Sequence, residues 1–169
     1  MTRGATYYPA SFSLAQRVLH WLTAVLVFFN LLLPDGMNEW RKAIGRAGSA
    51  STDQVASANI HAYVGFAIIA LVILRLILRS VQGVPPSPPE EPALFRLGAK
   101  AAHAALYVLL ITMPISGVAA YYFGYGVAGD LHADVLKVIL WILVGAHVLG
   151  ALVHHFYWKS DVLKRMTMG

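Results

Sequence analysis

The stretch LHADVLKVILWILVGAHVLGALVHHFYWKSDVLKRM, residues 131–166, decides the fold. Between Val135 and Tyr157 it is apolar enough and long enough to cross a bilayer, which takes about 20 residues. It nevertheless carries four histidines: His132, His147, His154 and His155. Ionisable side chains are rare in membrane segments and usually have a function there. The stretch therefore predicts a membrane helix that carries a functional site.

The spacing of these histidines places an imidazole at each side of the membrane. His132 and His147 lie roughly 22 Å apart along a helix that rises about 1.5 Å per residue, which is most of the hydrocarbon thickness. They are turned about 60° from one another around the helix axis. A π-bulge would bring them nearer to alignment, and such bulges favour functional sites. His154 follows His147 by two turns and shares its face.

The composition is that of an integral membrane protein. Of 169 residues, 58% are hydrophobic and 12% are charged, whereas a soluble domain is about half apolar and a quarter charged. We expect one membrane domain over residues 1–169. The absence of cysteine excludes disulfides, iron–sulfur clusters and covalently attached c-type haem. The formal charge of +5 is attributed to loops and helix ends, so we expect no nucleic-acid partner.

Hydropathy and helix-breaking residues predict an all-α membrane protein, a bundle of four transmembrane helices. Their predicted bounds are about 14–33, 58–80, 95–123 and 133–158. The first apolar run lacks an A-x-A-like cleavage site and is expected to be a retained helix. Residues 37–57 are predicted as a mixed loop, 84–92 as an extended proline-rich linker and 124–130 as a glycine-rich turn. Pro114 lies inside the third helix, where it is expected to produce a kink.

The distribution of Lys and Arg predicts the topology. One side of the bundle would carry Arg3, Arg17, Arg75, Arg79, Arg96, Lys100, Lys159, Lys164 and Arg165. The other side would carry Arg41, Lys42, Arg46 and Lys137. Because cytoplasmic loops are enriched in Lys and Arg, this excess predicts a multi-pass protein with both termini in the cytoplasm.

Two histidines are predicted on each side of the membrane, each from a different helix. The inner pair is His20 and His147, and the outer pair is His61 and His132. Two b-type haems with two axial imidazoles each require this arrangement. Small residues where a ring would pass the backbone are Gly65, Gly145 and Gly150, and candidate cations for the propionates are Arg17, Arg75 and Arg79. The sequence therefore predicts two haem b groups held within the bundle.

Simpler structural roles explain several of these residues when each is taken alone. A single histidine near a helix end is usually an interface residue, and we assign that role to His103 and His155. Glycines allow any membrane helices to pack closely. Arg75 and Arg79 would also serve as topology anchors, and His154 would cap the interface beside Trp158.

Four segments resemble the bacterial cytochrome b561 family over nearly the whole chain. They are RVLHWL (17–22), IHAYVGFAIIALVILRLILR (60–79), HAALYVLLITMPISG (103–117) and HVLGALVHHFYWKSDVLKRM (147–166). The family consists of four-helix, di-haem proteins of the bacterial inner membrane. The resemblance implies that His20 and His147 bind the inner haem and His61 and His132 the outer one. The family interval that corresponds to His132–His147 is slightly shorter than the one in this chain.

The resemblance also implies an activity, the transfer of electrons from periplasmic superoxide to ubiquinone. Superoxide is a small anion that does not easily cross hydrocarbon, so it would donate its electron at the outer face. Candidate residues that would attract it are Arg41, Lys42 and Arg46. His154 matches a histidine associated with the family's quinone site, and further candidates for that site are Arg75 and Tyr107. Reduction to quinol needs protons, which His154 would relay.

Two other functions agree with the same residues. The chain would alternatively be a haem b conduit that anchors a partner dehydrogenase or hydrogenase in the bilayer. A metal transporter that uses histidines as transient ligands is the third interpretation. The activity of the isolated protein with superoxide distinguishes the first two, and its absorption spectrum distinguishes the third.

Overall fold

The computed structural model describes residues 9–89 and 91–169. Within these ranges the regular elements are all helical, and four segments are long and apolar enough to cross a membrane. These segments are Leu14–Leu32, Thr52–Gln82, Ala93–Tyr121 and Gly126–Phe156. The predicted all-α fold with four spanning helices is confirmed. Arg3, one of the cations assigned to the cytoplasmic side, and Glu90 of the linker lie outside the described residues.

The fourth spanning segment is composite. In chain order the elements are α1 (Leu14–Leu32), α2 (Asp35–Ala47), α3 (Thr52–Gln82), α4 (Ala93–Tyr121), α5 (Gly126–Asp130), a π-helical segment (Leu131–Leu136), α6 (Lys137–Phe156) and α7 (Val162–Thr167). The chain runs from α5 through the π-helical segment into α6 without interruption. A π-bulge, which would bring His132 and His147 nearer to alignment, is present, and His132 lies within it.

The predicted loop over residues 37–57 is wrong, because it contains a helix. α2 is amphipathic, with Trp40 and Ile44 one turn apart among charged residues, and Asp35 lies in its first turn. Gly48 ends it in the left-handed conformation, with φ at 66°. The segment was overlooked because its low hydropathy excluded a spanning helix, and a helix on the membrane surface needs no such hydropathy.

The start of α3 and the segment before the fourth spanning helix also differ from the predictions. α3 begins at Thr52 rather than near residue 58, because Ser51 and Gln54 form a capping box that satisfies two N–H groups. The glycine-rich turn predicted over 124–130 is also wrong in part, since residues 126–130 are helical. The proline-rich linker is not helical, as predicted, and Pro114 lies within α4.

The bundle has a small apolar core and a large apolar surface. Each spanning segment contributes buried residues to this core, which are Val27, Ile68, Val72, Leu109 and Leu140. Most other large apolar side chains are exposed, as expected of residues that face lipid. α1 packs on α3, α3 on α4 and α4 on α6.

The two ends of the bundle differ in composition. At one end, here called the linker end, the chain before α1, the proline-rich linker and α7 meet: the Ser13 hydroxyl donates to Gln82 at 2.7 Å, and Arg165 donates to the Pro86 carbonyl at 2.9 Å. The opposite end, here called the α2 end, carries α2 and α5, joined by an ion pair of 3.4 Å between Arg41 and Asp130. Charged and polar contacts thus close both ends of an apolar bundle.

Candidate functional site

The first pair of facing imidazoles lies toward the linker end. His20 is in the second turn of α1, which starts at the Ser13–Gln16 capping box, and His147 lies in the middle of α6. Their ring centroids are 6.1 Å apart and their planes are inclined at 64°. The structure therefore brings together the two histidines predicted as the inner pair.

The second pair lies toward the α2 end and has the same separation. The ring centroids of His61 on α3 and His132 in the π-helical segment are 6.1 Å apart, with planes inclined at 75°. Nδ1 of His132 lies 2.8 Å from the carbonyl oxygen of Met113 and 3.2 Å from the hydroxyl of Ser116. A carbonyl oxygen only accepts, so Nδ1 carries the proton and Nε2 keeps its lone pair.

A glycine of α4 makes room for the His132 ring. A methyl group on Gly117 would lie 3.2 Å from Cε1 and 3.4 Å from Nδ1 of that ring. Together, Met113, Ser116 and Gly117 therefore hold His132 against α4 in one orientation. These three residues were not predicted, because Met113 precedes Pro114 and Ser116 and Gly117 follow it without a pattern that points to a ligand site.

The separation of the rings fits one iron in each pair. A metal–imidazole bond is about 2 Å long and each ring centre lies about 1 Å behind its nitrogen, so one iron needs ring centres about 6 Å apart. Nδ1 of His20 and of His61 is buried without a hydrogen-bond partner among the described residues. Buried polar atoms are rarely left unsatisfied, so each of these nitrogens needs a partner that the described protein atoms do not supply.

The surroundings of the pairs also fit flat macrocycles. Among the described residues, the helices that carry facing histidines, α1 with α6 and α3 with the π-helical segment, are not closely packed pairs. A methyl group on Gly65, Gly145 or Gly150 would meet no atom within 4 Å, so the backbone there borders open space. The donor set, two imidazoles per site, is one that haem iron accepts.

A third imidazole stands beside the first pair. The ring centroid of His103 on α4 lies 5.2 Å from that of His147, with the planes at 77°. This is closer than either facing pair and brings the two rings into edge-to-face contact. His103, expected to be an interface residue, is exposed and lies beside His147.

The candidate propionate cations have different surroundings. Arg17 donates to the carbonyl of Thr167 at 3.2 Å, and its Nε is buried without a partner among the described residues. Arg75 is half-buried, with its guanidinium carbon 5.7 Å from the ring centre of Tyr107. Arg79, one turn later on α3, is exposed.

The quinone-site candidates fall into two groups. Arg75 and Tyr107 contact each other near the inner pair. His154, in contrast, is buried with Nε2 3.4 Å from the Glu91 carboxylate and Nδ1 3.0 Å from the Ser160 hydroxyl. Glu91 and Ser160 were not predicted, because one lies in a proline-rich linker and the other follows the last spanning helix.

Two of the three cations of α2 form ion pairs with acidic residues, which the sequence did not predict. Arg41 pairs with Asp130 at 3.4 Å, and Lys42 pairs with Glu39 at 2.9 Å. The hydrogen bond from Lys42 holds the pKa of the Glu39 carboxyl below its usual value. Within the described residues Arg46 forms no ion pair. All three cations lie on one surface helix that Trp40 attaches to Tyr121, with ring centroids 4.6 Å apart.

Comparison with known proteins identifies relatives along nearly the whole chain. Residues 11–169 match the sequence profile of the family described as prokaryotic cytochrome b561. A cytochrome b562 of Cereibacter sphaeroides is 30% identical over 158 positions, which cover 89% of this chain and 91% of that protein. A probable superoxide oxidase, CybB, of Yersinia pestis is 27% identical over 175 positions, covering 92% and 94%. Cytochrome b561 homolog 2 of Escherichia coli strain K12 is 26% identical over 182 positions, covering 95% and 93%.

Proposed function

The chain belongs to the prokaryotic cytochrome b561 family, and from this premise we propose that it oxidises superoxide at its α2 end and reduces ubiquinone at its linker end. The observation that carries the proposal is the presence of two facing imidazole pairs with the same ring separation of 6.1 Å. They lie on different helix pairs, toward opposite ends of the bundle. Such an arrangement suits electron transfer across a membrane.

The residues of the two pairs would hold one b-type haem each. Two bound haems supply reversible one-electron transfer between the ends of the bundle. His20 and His147 would hold the group nearer the linker end, and His61 and His132 the other. The contact of His132 with Met113 fixes its tautomer and presents Nε2 for coordination, as outer hydrogen bonds do for histidine ligands in general. Arg75 is best placed to neutralise an anionic substituent near the inner pair.

The α2 end suits a small anionic electron donor. Superoxide loses one electron and no proton when it becomes O2, so no general base is required there. α2 carries Arg41, Lys42 and Arg46 on the surface of the bundle, and cations near an entry point accelerate the approach of an anion. Because Arg41 and Lys42 are paired with acids, Arg46 supplies the unpaired charge among the described residues.

The linker end suits a quinone because it combines apolar surface with groups that exchange protons. One ubiquinone takes two electrons and two protons to become ubiquinol, so two superoxide anions are consumed for each quinol formed. His154 lies two turns beyond His147, about 10 Å along the helix. Arg75 and Tyr107 would supply hydrogen bonds nearer the inner pair.

The orientation follows from charge. The linker end carries most of the Lys and Arg residues, so we place it, and both chain termini, on the cytoplasmic side of the bacterial inner membrane. The α2 end then faces the periplasm, where superoxide would be the donor. Bilayer lipid and quinone are the partners that this orientation requires.

The test uses the purified protein loaded with haem and a pulse of superoxide. We expect rapid haem reduction, followed by ubiquinol formation when ubiquinone is added, at one quinol per two superoxide anions consumed. Superoxide dismutase is the control and should abolish both signals. Haem that superoxide leaves oxidised, while dithionite reduces it, would contradict the proposal.

The same experiment addresses the second candidate, an electron conduit or anchor subunit for a partner dehydrogenase or hydrogenase. This candidate is favoured by the relative from Cereibacter sphaeroides, whose name specifies a cytochrome and no substrate. A conduit would accept electrons from a partner redox protein and pass them to quinone. Its isolated chain would leave superoxide unconsumed, which separates the two functions.

A further inference from the structure

The linker end contains a buried chain of three proton-carrying groups that ends in an unexpected carboxylate. Glu91 is only 4% exposed, although it belongs to the proline-rich linker. Its Oε1 lies 3.4 Å from Nε2 of His154, whose Nδ1 lies 3.0 Å from the hydroxyl of Ser160. His154 is 9% exposed, and Ser160 is half-buried. The three side chains thus run in series from a partly accessible hydroxyl to a buried acid.

The surroundings of Glu91 leave His154 as the ionic partner of its side chain. Arg96 donates to the backbone carbonyl of Glu91 at 3.2 Å and not to its carboxylate. Among the described residues no Lys or Arg forms an ion pair with this carboxylate. A buried charge must be paired or neutralised, and among the described residues the His154 imidazole is the group that faces this carboxylate.

A purely structural role explains the pair poorly. A buried ion pair gains little stability, because the desolvation of both charges offsets their attraction. Other contacts already hold the linker: Gln16 donates to the Gly83 carbonyl at 3.0 Å, and Arg165 donates to the Pro86 carbonyl at 2.9 Å. Glu91 itself is further fixed through its backbone, by Arg96 and by the Pro88 carbonyl at 3.2 Å. Attachment of the linker therefore does not require a carboxylate.

We propose that Ser160, His154 and Glu91 form a relay that delivers protons from the cytoplasmic side to the quinone reduced at the linker end. An imidazole transfers a proton by accepting at one nitrogen and releasing at the other. The two nitrogens of His154 face Ser160 and Glu91, so a proton enters at Nδ1 and leaves from Nε2. Trp158 packs edge-on against the His154 ring, with centroids 4.7 Å apart, and shields it from bulk water.

The relay supplies the protons that the proposed reaction consumes, and this inference rests on that reaction. Two superoxide anions give up two electrons and become two O2 molecules, while one quinone gains these electrons and forms two O–H bonds. Both protons come from cytoplasmic water and pass through the relay, one for each electron. Glu91 is the last group before the quinone, and Ser160 is the point of entry.

The experiment separates proton delivery from electron delivery with two acceptors. The haem-loaded protein is reduced with dithionite, then mixed with a ubiquinone, which takes protons, or with ferricyanide, which takes only electrons. In Glu91→Gln, reoxidation by ubiquinone should slow by about tenfold or more, the scale for a lost acid–base group. Reoxidation by ferricyanide should keep its normal rate. His154→Leu should behave in the same way.

Two further variants test whether the slower reoxidation by ubiquinone comes from the missing carboxylate and not from a change in the fold. Glu91→Asp keeps a carboxylate and should recover a large part of the quinone rate, with a greater solvent isotope effect in D2O than the parent protein. Asp53→Asn removes an exposed carboxylate at the opposite end and serves as the matched control, with both rates unchanged.

Several outcomes would overturn the relay. An unchanged quinone rate in Glu91→Gln would do so, as would a ferricyanide rate that falls equally. If Glu91→Gln fails to fold or to retain haem, Ser160→Ala decides the question at the accessible end, where an unchanged quinone rate contradicts the relay. A parent protein that reduces no ubiquinone at all would instead contradict the proposed function.

Discussion

Nδ1 of His132 lies 2.8 Å from the backbone carbonyl oxygen of Met113, a contact between the π-helical segment and α4. It fixes the tautomer of the imidazole and leaves the lone pair on Nε2, in a ring whose centroid is 6.1 Å from that of His61. Buried ligand histidines usually have such an outer partner, which orients the ring and raises its basicity. Nδ1 of His61 has no equivalent partner among the described residues. The two ligands proposed for the outer haem are therefore held with unequal rigidity.

The pairing of histidines predicts how haem is lost. His20→Ala and His147→Ala should each remove one spectral component, and His61→Ala and His132→Ala should each remove the other. The parent protein should release two b haems per chain into acid acetone, since no cysteine binds them covalently. Pyridine haemochrome analysis measures the content. A single haem in the parent protein, or loss of one common component in His20→Ala and His61→Ala, would refute the pairing.

Gly117 should control the position of His132. Its substitution by valine places atoms within about 3 Å of the His132 ring, on a helix that Ser116 and Met113 also tie to that ring, so the ring must turn. We expect Gly117→Val to lose the outer haem and keep the inner one. Gly98→Ala, in the same helix but with open space around it, is the control. It should keep both haems and stabilise α4 by up to about 1 kcal/mol.

The π-helical segment should be required for haem binding by the outer histidine pair and not for haem binding by the inner pair. Deletion of Ala133 removes one residue from the wide turn, and each residue of an α-helix rotates the chain by about 100°. His132 would then point away from His61, while His147 keeps its place relative to His20. We expect the outer component to disappear from the reduced-minus-oxidised spectrum and the inner one to remain. A deletion variant with both components intact would show that the bulge has no such role.

Hydropathy and histidine spacing were sufficient to predict much of this fold. They predicted four spanning helices and the approach of His20 to His147 and of His61 to His132, and they raised the π-bulge as a possibility. Spanning helices and the spacing of histidines within them follow the helical period, so they are visible in the hydropathy and spacing of the sequence. α2 was missed because a surface helix of 13 residues has neither the length nor the hydropathy of a span.

The linker shows why the rest was not predictable. A proline-rich segment indicates extended backbone but not the surface on which it lies. Glu91 becomes notable only when the linker folds over the end of α6 and carries the carboxylate to His154. Contacts of this kind depend on tertiary placement, as does the contact of Met113 with His132. A pattern within one helix contains no information about either.

The charges of α2 should set the rate at which superoxide reduces the protein. Arg46→Gln should lower the bimolecular rate, and Glu39→Gln should raise it, because the second change removes a negative charge from the same surface. Both effects should fade as salt increases, since exposed charges are screened over about 10 Å at 0.1 M ionic strength. Stopped-flow haem reduction at several salt concentrations measures this. Equal rates in both variants would show that superoxide enters elsewhere.

The two neighbours of His147 should differ in their effect on the inner haem. The ring centroid of His20 lies 6.1 Å from that of His147, which leaves room for one iron, whereas that of His103 lies 5.2 Å away, which is closer than an iron between two rings allows. His20→Ala should therefore lose the inner haem although His103 is still present, and His103→Ala should keep it. Haem content and the reduced spectrum of the two variants measure the difference. The reverse result, with haem retained in His20→Ala and lost in His103→Ala, would make His103 the ligand and would move the inner haem from α1 to α4.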